Sequence, residues 1–296
     1  MRTHPRMTYS PAVTAQAPSA VILIRATRFL PNPATAADNA FQADAPAGET
    51  AAHLSELALA EMDAVAEALR EVGVRVHVFE DHDHTRPDSV FPNNWVSTHA
   101  GGVVGVFPMY ASNRRHERRG DVLEMLKSHY RVQTIIDYSG LEPDGIFLEG
   151  TGAMVLDHLS RVAYVARSHR ADSHVLERFC TDFTYEPMVF DAVDSGGVPV
   201  YHTNVMGCVG TDVALMALEM IPDERRREQV AAAGGVEHST ARLIHERPGE
   251  HMVNPVIAVH PGAIVTARCP LQPGLQRQQV PQSYPVHALG GGGGDA

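Results

Sequence analysis

The spacing of apolar residues predicts alternating strands and helices from about residue 20 onward. In residues 50–72 the apolar positions recur every three or four residues, as on the buried face of an amphipathic helix. Thr50 can cap the start of this helix, and Gly73 can end it in the left-handed conformation. The apolar run at residues 21–26 and the alternation at residues 74–79 predict a strand on each side.

Similar segments follow through the middle of the chain. Helices are predicted at residues 113–130, 171–179 and 222–233, and strands at residues 103–107, 132–136, 161–166, 187–190, 198–201 and 205–209, with two short strands within residues 145–156. Strands therefore come in twos and threes between single helices. This order favours a repeated strand–strand–helix–strand unit closed on itself, an α/β architecture with a central site.

Composition divides the chain into three regions. Residues 1–19 are basic and mixed, and we expect a disordered arm. Residues 20–235 carry the predicted helices and strands and form the expected catalytic domain. Residues 236–296 are rich in Pro, Gln, His and Arg, and most of them show neither the helical nor the strand spacing of apolar residues. We therefore interpret them as an atypical tail.

Charge and composition exclude several classes of function. The chain has 24 Lys and Arg against 35 Asp and Glu, a formal net charge of −11, which argues against nucleic acid and anionic membranes as partners. No apolar run approaches the roughly 20 residues that cross a bilayer, and residues 21–24 are too few for a secretory signal. Three scattered cysteines make no disulfide framework. We expect a cytoplasmic protein that acts on a small molecule, with a homodimer as one option for its assembly.

The loop at residues 87–95 contains groups suited to bind a ligand. It places Asp88, Asn93 and Asn94 beside Trp95, the single tryptophan of the chain. A carboxylate and two amides can form a hydrogen-bonding rim. The alternative is an Asx turn next to a core tryptophan.

Two further segments are rich in charge. In residues 113–119 a pair of guanidinium groups that includes Arg115 can grip a carboxylate, although such a run is commonly a solvated helix start. In residues 147–152 Glu149 lies between apolar residues and two glycines. It is a candidate proton acceptor or cation anchor, and the alternative is a loop glutamate that faces water.

Histidines raise two more possibilities. At period two along a strand, His202 and Asn204 would point to the same side, although a lone histidine on a strand is more often structural. His82 and His84 stand in an acidic loop that resembles a metal cluster. Because no complementary ligand motif accompanies them, we predict no metal site.

Taken together, these segments resemble the guanidino-group-modifying enzyme superfamily, the five-bladed α/β propellers called penteins. This superfamily includes arginine deiminases, dimethylarginine dimethylaminohydrolases and amidinotransferases, and the sequence is most similar to its citrulline-utilisation hydrolase branch. The resembling segments are residues 88–95, 113–117, 147–157, 168–170 and 201–205, within about residues 20–235. The resemblance implies a five-bladed propeller and a carbon–nitrogen hydrolase that uses no cofactor. Because the tail is atypical, we expect the last blade of the propeller to be disrupted.

The resemblance also implies residue roles. Such enzymes attack the central carbon of a guanidinium or ureido group with a cysteine thiolate, and a histidine then activates water. His202 would take the acid/base role, Glu149 would orient it and fix a substrate nitrogen, and Asp88 would line the pocket. The substrate carboxylate would be held by Arg115 and Arg170.

The sequence departs from relatives that bind a guanidinium. Amides stand at Asn93, Asn94 and Asn204, where such relatives have carboxylates. An amide both donates and accepts hydrogen bonds and brings no charge, so it suits a neutral ureido group. We therefore expect citrulline, or a related ureido amino acid, to be favoured over arginine.

A second departure concerns the nucleophile. The superfamily has its cysteine near the C-terminus, after a glycine-rich turn, whereas here residues 290–294 are glycines followed by Asp295 and Ala296. Cys269 follows an arginine as in relatives, but it comes early and lacks the glycines. Read from the third base of each codon, the terminal glycines, Asp and Ala can encode Gly-Arg-Cys, so we hypothesise a frameshift near residues 234–260. The alternatives to a hydrolase are a catalytically inactive ligand-binding relative that lacks the cysteine and an amidinotransferase.

Overall fold

A computed structural model describes residues 15–29, 31–36 and 50–234 of the chain. Within these residues five helices form: α1 (Ala51–Glu71), α2 (Gly120–His129), α3 (Gly150–Ala153), α4 (Ser173–Phe183) and α5 (Glu224–Ala233). The same residues form ten strands: β1 (Ala20–Ala26), β2 (Arg75–Asp81), β3 (Val96–His99), β4 (Val103–Val106), β5 (Thr134–Asp137), β6 (Met154–Asp157), β7 (Val162–Ala166), β8 (Glu186–Phe190), β9 (Gly207–Val209) and β10 (Ala214–Met216).

Two copies of one supersecondary unit form the centre of the described fold. Strands β3 and β4 make an antiparallel hairpin, α2 crosses over, and β5 returns parallel to β4. Strands β6, β7 and β8 repeat this arrangement with α4. The predicted strand–strand–helix–strand unit is therefore confirmed at both places.

Two incomplete pieces of the same kind lie at the ends of the described chain. Strands β1 and β2 pair in parallel around α1, and β9 pairs antiparallel with β10 before α5. The four sheets in the described ranges have two or three strands each, and none closes into a barrel. The architecture is thus a mixed α/β fold of several small sheets. The number of blades in the whole chain stays a prediction.

Helix α4 shows how a helix is fixed on its sheet. Its buried face, which includes Val175, Leu176 and Phe179, belongs to one core cluster with residues of β6 and β7. Asp172 caps the helix by accepting a hydrogen bond from the His174 backbone amide. The cap satisfies an otherwise unpaired donor, so α4 begins after Asp172.

Three short turns meet where β3, β6 and β9 begin. They are the 3-10 helix Pro92–Asn94, the helix α3 and the 3-10 helix Thr203–Val205, and α3 contacts both of the others. The Thr203 hydroxyl donates to the Ala153 carbonyl at 2.6 Å and accepts from the Ala166 amide at 2.8 Å. Side chains carried by these turns therefore converge at one end of the sheets.

The helix predicted at residues 113–130 is wrong in its first half. A 3-10 helix covers Ser112–Glu117, Arg118 has extended backbone angles, and α2 begins only at Gly120. Arg118 donates to the two carboxylate oxygens of Glu142 at 2.5 and 3.0 Å. This pairing anchors the break between the two helices.

Other differences concern short strands. The strand predicted at residues 198–201 is wrong, because only an isolated bridge between Val193 and Pro199 forms there. In residues 145–156 the first predicted strand is replaced by α3 and the turn before it. Apolar periodicity does not reveal β3 and β10, which are four and three residues long.

The predicted arm and tail fall largely outside the described residues. Residues 1–14 and 236–296 both lie there. At the end of the expected arm, however, Gln16 is buried. Its amide donates to carbonyls in β6 and β9 at 2.9 and 3.1 Å, and its oxygen accepts from the His158 backbone amide at 2.7 Å. These bonds tie this part of the chain to two sheets. Over the described ranges, no helix has the length and apolar character needed to cross a membrane.

Candidate active site

Two glycines allow the three turns to touch. Gly150 has a φ of +44°, and a Cβ at this position would lie 2.4 Å from the Asn93 carbonyl oxygen. A Cβ on Gly152 would lie 2.5 Å from the Asn94 side-chain amide and 2.9 Å from the His202 ring. Any other residue at either position would push the neighbouring turns apart.

A buried carboxylate–histidine pair lies at this junction. Glu149 directly precedes α3, is 0% exposed, and accepts a hydrogen bond from His202 Nε2 through Oε2 at 2.7 Å. Its Oε1 accepts from the Tyr110 backbone amide at 2.9 Å. The structure thus brings together His202, to which the sequence resemblance gives the acid/base role, and Glu149, which the resemblance expects to orient it.

Two buried guanidinium groups stand beside this pair. Nη1 of Arg170 lies 3.5 Å from Glu149 Oε2, and Nη1 of Arg114 lies 3.8 Å from the same oxygen. Both arginine side chains are almost fully buried. They supply the positive charge that a buried carboxylate needs.

The charge state of the pair follows from these neighbours. Burial by itself would raise the pKa of Glu149, but the His202 hydrogen bond and the charges of Arg114 and Arg170 outweigh it and hold that pKa well below its ordinary value. Burial lowers the pKa of His202 more than Glu149 raises it, so the ring is neutral near pH 7. His202 therefore donates its Nε2 proton to the carboxylate and keeps Nδ1 as an acceptor.

Arg114 connects the other polar groups of the site. Its Nε and Nη2 donate to Glu117 at distances of 2.9–3.2 Å. Its Nε also lies 3.4 Å from Asp88 Oδ2. With its amide oxygen turned toward the guanidinium, Asn94 accepts from Arg114 Nη1 at 2.8 Å. One buried guanidinium therefore contacts three acidic side chains and one amide.

Asp88 is linked to an asparagine from a distant part of the chain. Asn32 donates to Asp88 Oδ2 at 2.7 Å through its amide nitrogen. The Asn32 oxygen accepts from the Asn113 side chain at 2.8 Å. Asp88, half-buried, is thus fixed between residues 31–36 and the 3-10 helix that carries Arg114.

Arg170 is held among aromatic rings. Its guanidinium carbon lies 4.8 Å from the centre of the Tyr201 ring and 5.6 Å from that of Tyr110. Tyr110 also packs edge-on against His169, with ring centres 4.5 Å apart. These contacts aim Arg170 at Glu149. A role in holding the substrate carboxylate stays a prediction.

Arg115 does not join the Glu149–His202 cluster. Its Nε donates to the Met109 carbonyl at 3.1 Å and lies 3.5 Å from Glu142. The neighbouring Arg114 enters the site instead. Binding of a substrate carboxylate by Arg115 stays a prediction, one that these contacts do not favour.

Asn93 and Asn204 are half-buried and lie on two of the three short turns. The strand geometry expected for His202 and Asn204 is wrong, because only His202 has extended backbone angles and Asn204 sits inside the 3-10 helix Thr203–Val205.

Five residues of the site are not identified from the sequence. They are Asn32, Tyr110, Arg114, Glu117 and Tyr201. A signal existed for two of them, since Arg114 and Tyr201 each lie directly beside a residue that was singled out. Asn32 and Tyr110 stand in loops whose sequence carries no such signal.

The described residues offer neither a metal site nor an activated thiol. No group of three or more His, Cys, Asp or Glu side chains in the described part is arranged to hold a metal ion. Cys180 is buried in the α4 core, which raises its thiol pKa to about 12, and burial also raises the pKa of Cys208 on β9. Both environments disfavour a thiolate.

Fold and site together define a mixed α/β protein with a buried cluster of charged side chains at the meeting ends of its sheets. A family model described as N,N dimethylarginine dimethylhydrolase, eukaryotic, matches residues 25–246. The chain belongs to this family, whose members are hydrolases of guanidino carbon–nitrogen bonds, and the resemblance seen in the sequence is confirmed. Among curated proteins, no sequence matches the chain.

Two solved structures of similar fold illustrate the likeness. One is the substrate-bound N-terminal domain of ArgZ, an arginine dihydrolase from the ornithine-ammonia cycle in cyanobacteria, with a TM-score of 0.55, 15% identity and coverage of 72% of each chain. The other is unliganded AgrE, with a TM-score of 0.53, 15% identity and coverage of 72% of this chain. This chain spans 28% of the AgrE chain. At such identities the likeness shows the fold alone.

Proposed function

We propose that the chain is a hydrolase that attacks the guanidino or ureido carbon of an arginine-related amino acid through a covalent cysteine adduct. The observation that carries this proposal is the buried Glu149–His202 pair, joined at 2.7 Å and flanked by two guanidinium groups. Family membership supports the same reaction class.

The pair is suited to move protons in both halves of such a reaction. Nδ1 of neutral His202 takes the proton of the cysteine thiol as the sulfur adds to the ureido carbon of citrulline. The imidazolium then gives this proton to the terminal nitrogen, whose bond to the carbon breaks as ammonia leaves. The neutral ring next takes a proton from water, which attacks the carbon; the carbon–sulfur bond breaks, a carbamic acid is released, and the imidazolium returns its proton to the sulfur. Ionised Glu149 stabilises the imidazolium that forms at each transfer.

Citrulline is our first choice of substrate. The amides of Asn93, Asn94 and Asn204 lie on the turns that form the site and add no negative charge to it. Arginine is the competing substrate, because the site also contains more carboxylates than guanidinium groups. The fold neighbour ArgZ is an arginine dihydrolase.

The nucleophile would come from residues beyond the described part. Cys269 is the remaining cysteine of the chain besides Cys180 and Cys208. The family match ends at residue 246, within the range where we place a frameshift. We therefore propose that the segment of relatives that corresponds to residues from about 236 completes the fifth blade and supplies the thiol. In this chain Cys269 is the candidate thiol, and a tail without a working thiol would leave only the ligand-binding protein described next.

The second candidate is a ligand-binding protein that does not release ammonia. The raised thiol pKa values of both described cysteines favour it, since neither thiol is activated. An amidinotransferase would use the same adduct, with an amine in place of water to resolve it.

Trapping the adduct tests the proposal. Full-length wild type and His202→Gln are mixed with citrulline or arginine, quenched in acid and analysed by intact mass and peptide mapping. We expect an adduct on Cys269 that appears in wild type during turnover and is much reduced in His202→Gln, because the departure of ammonia needs a proton from the ring. Binding without any adduct would support the ligand-binding protein. The 3′ end of the gene should then be sequenced. A Gly-Arg-Cys terminus in another reading frame would show that the adduct is absent because the frameshifted tail lacks the cysteine.

A further inference from the structure

Glu117 is a buried carboxylate whose hydrogen bonds in the described structure all go to one side chain. Its side chain is 0% exposed and lies three residues after Arg114 in the 3-10 helix Ser112–Glu117. Both of its oxygens accept from Arg114, at 2.9–3.2 Å. Burying a carboxylate in this way costs free energy. An Arg–Glu pair on the protein surface would form the same hydrogen bonds without that cost.

Arg114 transmits this charge to the site. The guanidinium that Glu117 binds also lies 3.4 Å from Asp88 Oδ2 and 3.8 Å from Glu149 Oε2. It therefore stands between Glu117 and the carboxylates of Asp88 and Glu149. A change in the charge of Glu117 is felt at Asp88 and Glu149 through a medium with little water to screen it.

The formal charges of this cluster do not cancel. Three carboxylates, Asp88, Glu117 and Glu149, face two guanidinium groups, Arg114 and Arg170, while the neighbouring ring of His202 is neutral near pH 7. Adding these groups leaves one negative charge. Without the charge of Glu117, the same groups would be neutral. Glu117 thus decides whether the cluster carries a net negative charge.

We infer that Glu117 is a positioning residue that sets the preference of the site between a cationic guanidinium and a neutral ureido group. It does so without contact with the substrate, through the charge and orientation of Arg114. With Glu117 ionised, the pocket favours arginine more than its amide side chains alone would suggest. With Glu117 neutral, the preference moves toward citrulline. This inference rests on the proposed function, since it concerns the same site.

The environment of Glu117 adds a dependence on pH. Burial raises the pKa of Glu117 to about 7, against the attraction of Arg114 and with the help of the negative charges of Asp88 and Glu149. The carboxylate is therefore protonated below this value and ionised above it. The affinity for arginine relative to citrulline should rise as the pH increases through about 7.

Calorimetric titration of the full chain with L-arginine and with L-citrulline tests the inference. Glu117→Gln keeps the shape of the side chain and removes its charge, and Glu117→Asp keeps the charge. In Glu117→Gln the ratio of arginine affinity to citrulline affinity should fall at least fivefold from the wild-type value. In Glu117→Asp the ratio should stay close to the wild-type value. Glu124→Gln, which removes an exposed carboxylate paired with Lys127 on α2, is the matched control and should leave the ratio unchanged.

A second measurement needs no substitution. In wild type the affinity ratio should rise between pH 6 and pH 8.5, and in Glu117→Gln it should stay flat. Equal losses of affinity for both ligands in Glu117→Gln, or a flat ratio in wild type, would overturn the inference and leave a structural role. Failure of wild type to bind either ligand would overturn the proposed function and this inference together.

Discussion

His99 offers a test of the packing that does not depend on catalysis. It lies at the end of β3, and its ring centre is 4.3 Å from that of Phe183 in α4. Ser97 bonds to its Nε2 at 2.7 Å, whereas Nδ1 is buried without a partner in the described structure. Burial, together with the nearby His158 and Arg161, lowers the pKa of His99 to about 3. The folded protein therefore keeps this ring neutral.

The consequence for stability has a definite sign. In the unfolded chain His99 has an ordinary pKa of about 6.5 and takes up a proton below that value, which the folded state does not. Stability is then fully present above pH 6.5 and is lost as the pH falls from about 6.5 toward 3. At 1.36 kcal/mol per pH unit, the loss at pH 5 is about 2 kcal/mol.

Urea denaturation of wild type and His99→Phe at pH 7.5 and pH 5 measures this loss. We expect wild type to lose about 2 kcal/mol more than the variant over this range. His174→Gln, which changes an exposed histidine at the start of the same α4, should behave as wild type. If His99→Phe and wild type lose equal stability, the His99 ring is not held neutral between β3 and α4. The packing of β3 against α4 described here would then be wrong.

Two further predictions concern the junction of the turns. Gly152→Ala places a methyl group against the Asn94 amide and the His202 ring, so turnover should fall roughly tenfold to a hundredfold. Urea denaturation should show a loss of about 1–3 kcal/mol in stability. Unchanged turnover would contradict the close approach of the three turns. Thr203→Val leaves the Ala166 amide and the Ala153 carbonyl without their partner, so the free energy of unfolding should drop by about 2–4 kcal/mol. The control Thr181→Val, on the exposed face of α4, should cost under about 1 kcal/mol. Equal losses would show that the hydrogen bonds of Thr203 do not hold the turns together.

The sequence predicts the parts of the fold whose apolar spacing is regular. Helix α1 and the strand–helix–strand order around α2 and α4 follow from it. The 3-10 helix Ser112–Glu117 does not, because a run of charged residues has no apolar period to read. Short strands such as β10 are fixed by their pairing partners rather than by their own three residues.

The candidate site shows the same division. Glu149 and His202 could be named because each stands in a segment similar to a known family. The choice between Arg114 and Arg115 could not be made from the sequence, because the two side chains are chemically identical. Burial of Glu117 three residues later decides it, since only Arg114 can then pair with Glu117 inside the core. That burial is a property of the assembled turns.

Release of ammonia from L-citrulline and L-arginine is the measurement that tests the central claim most directly. Full-length wild type should release ammonia from at least one of the two, citrulline by preference. Glu149→Gln should lower the rate at least a hundredfold while the fold is retained, because His202 loses the carboxylate that supports its protonated form. Absence of ammonia from both substrates, or an undiminished rate in Glu149→Gln, would contradict the account.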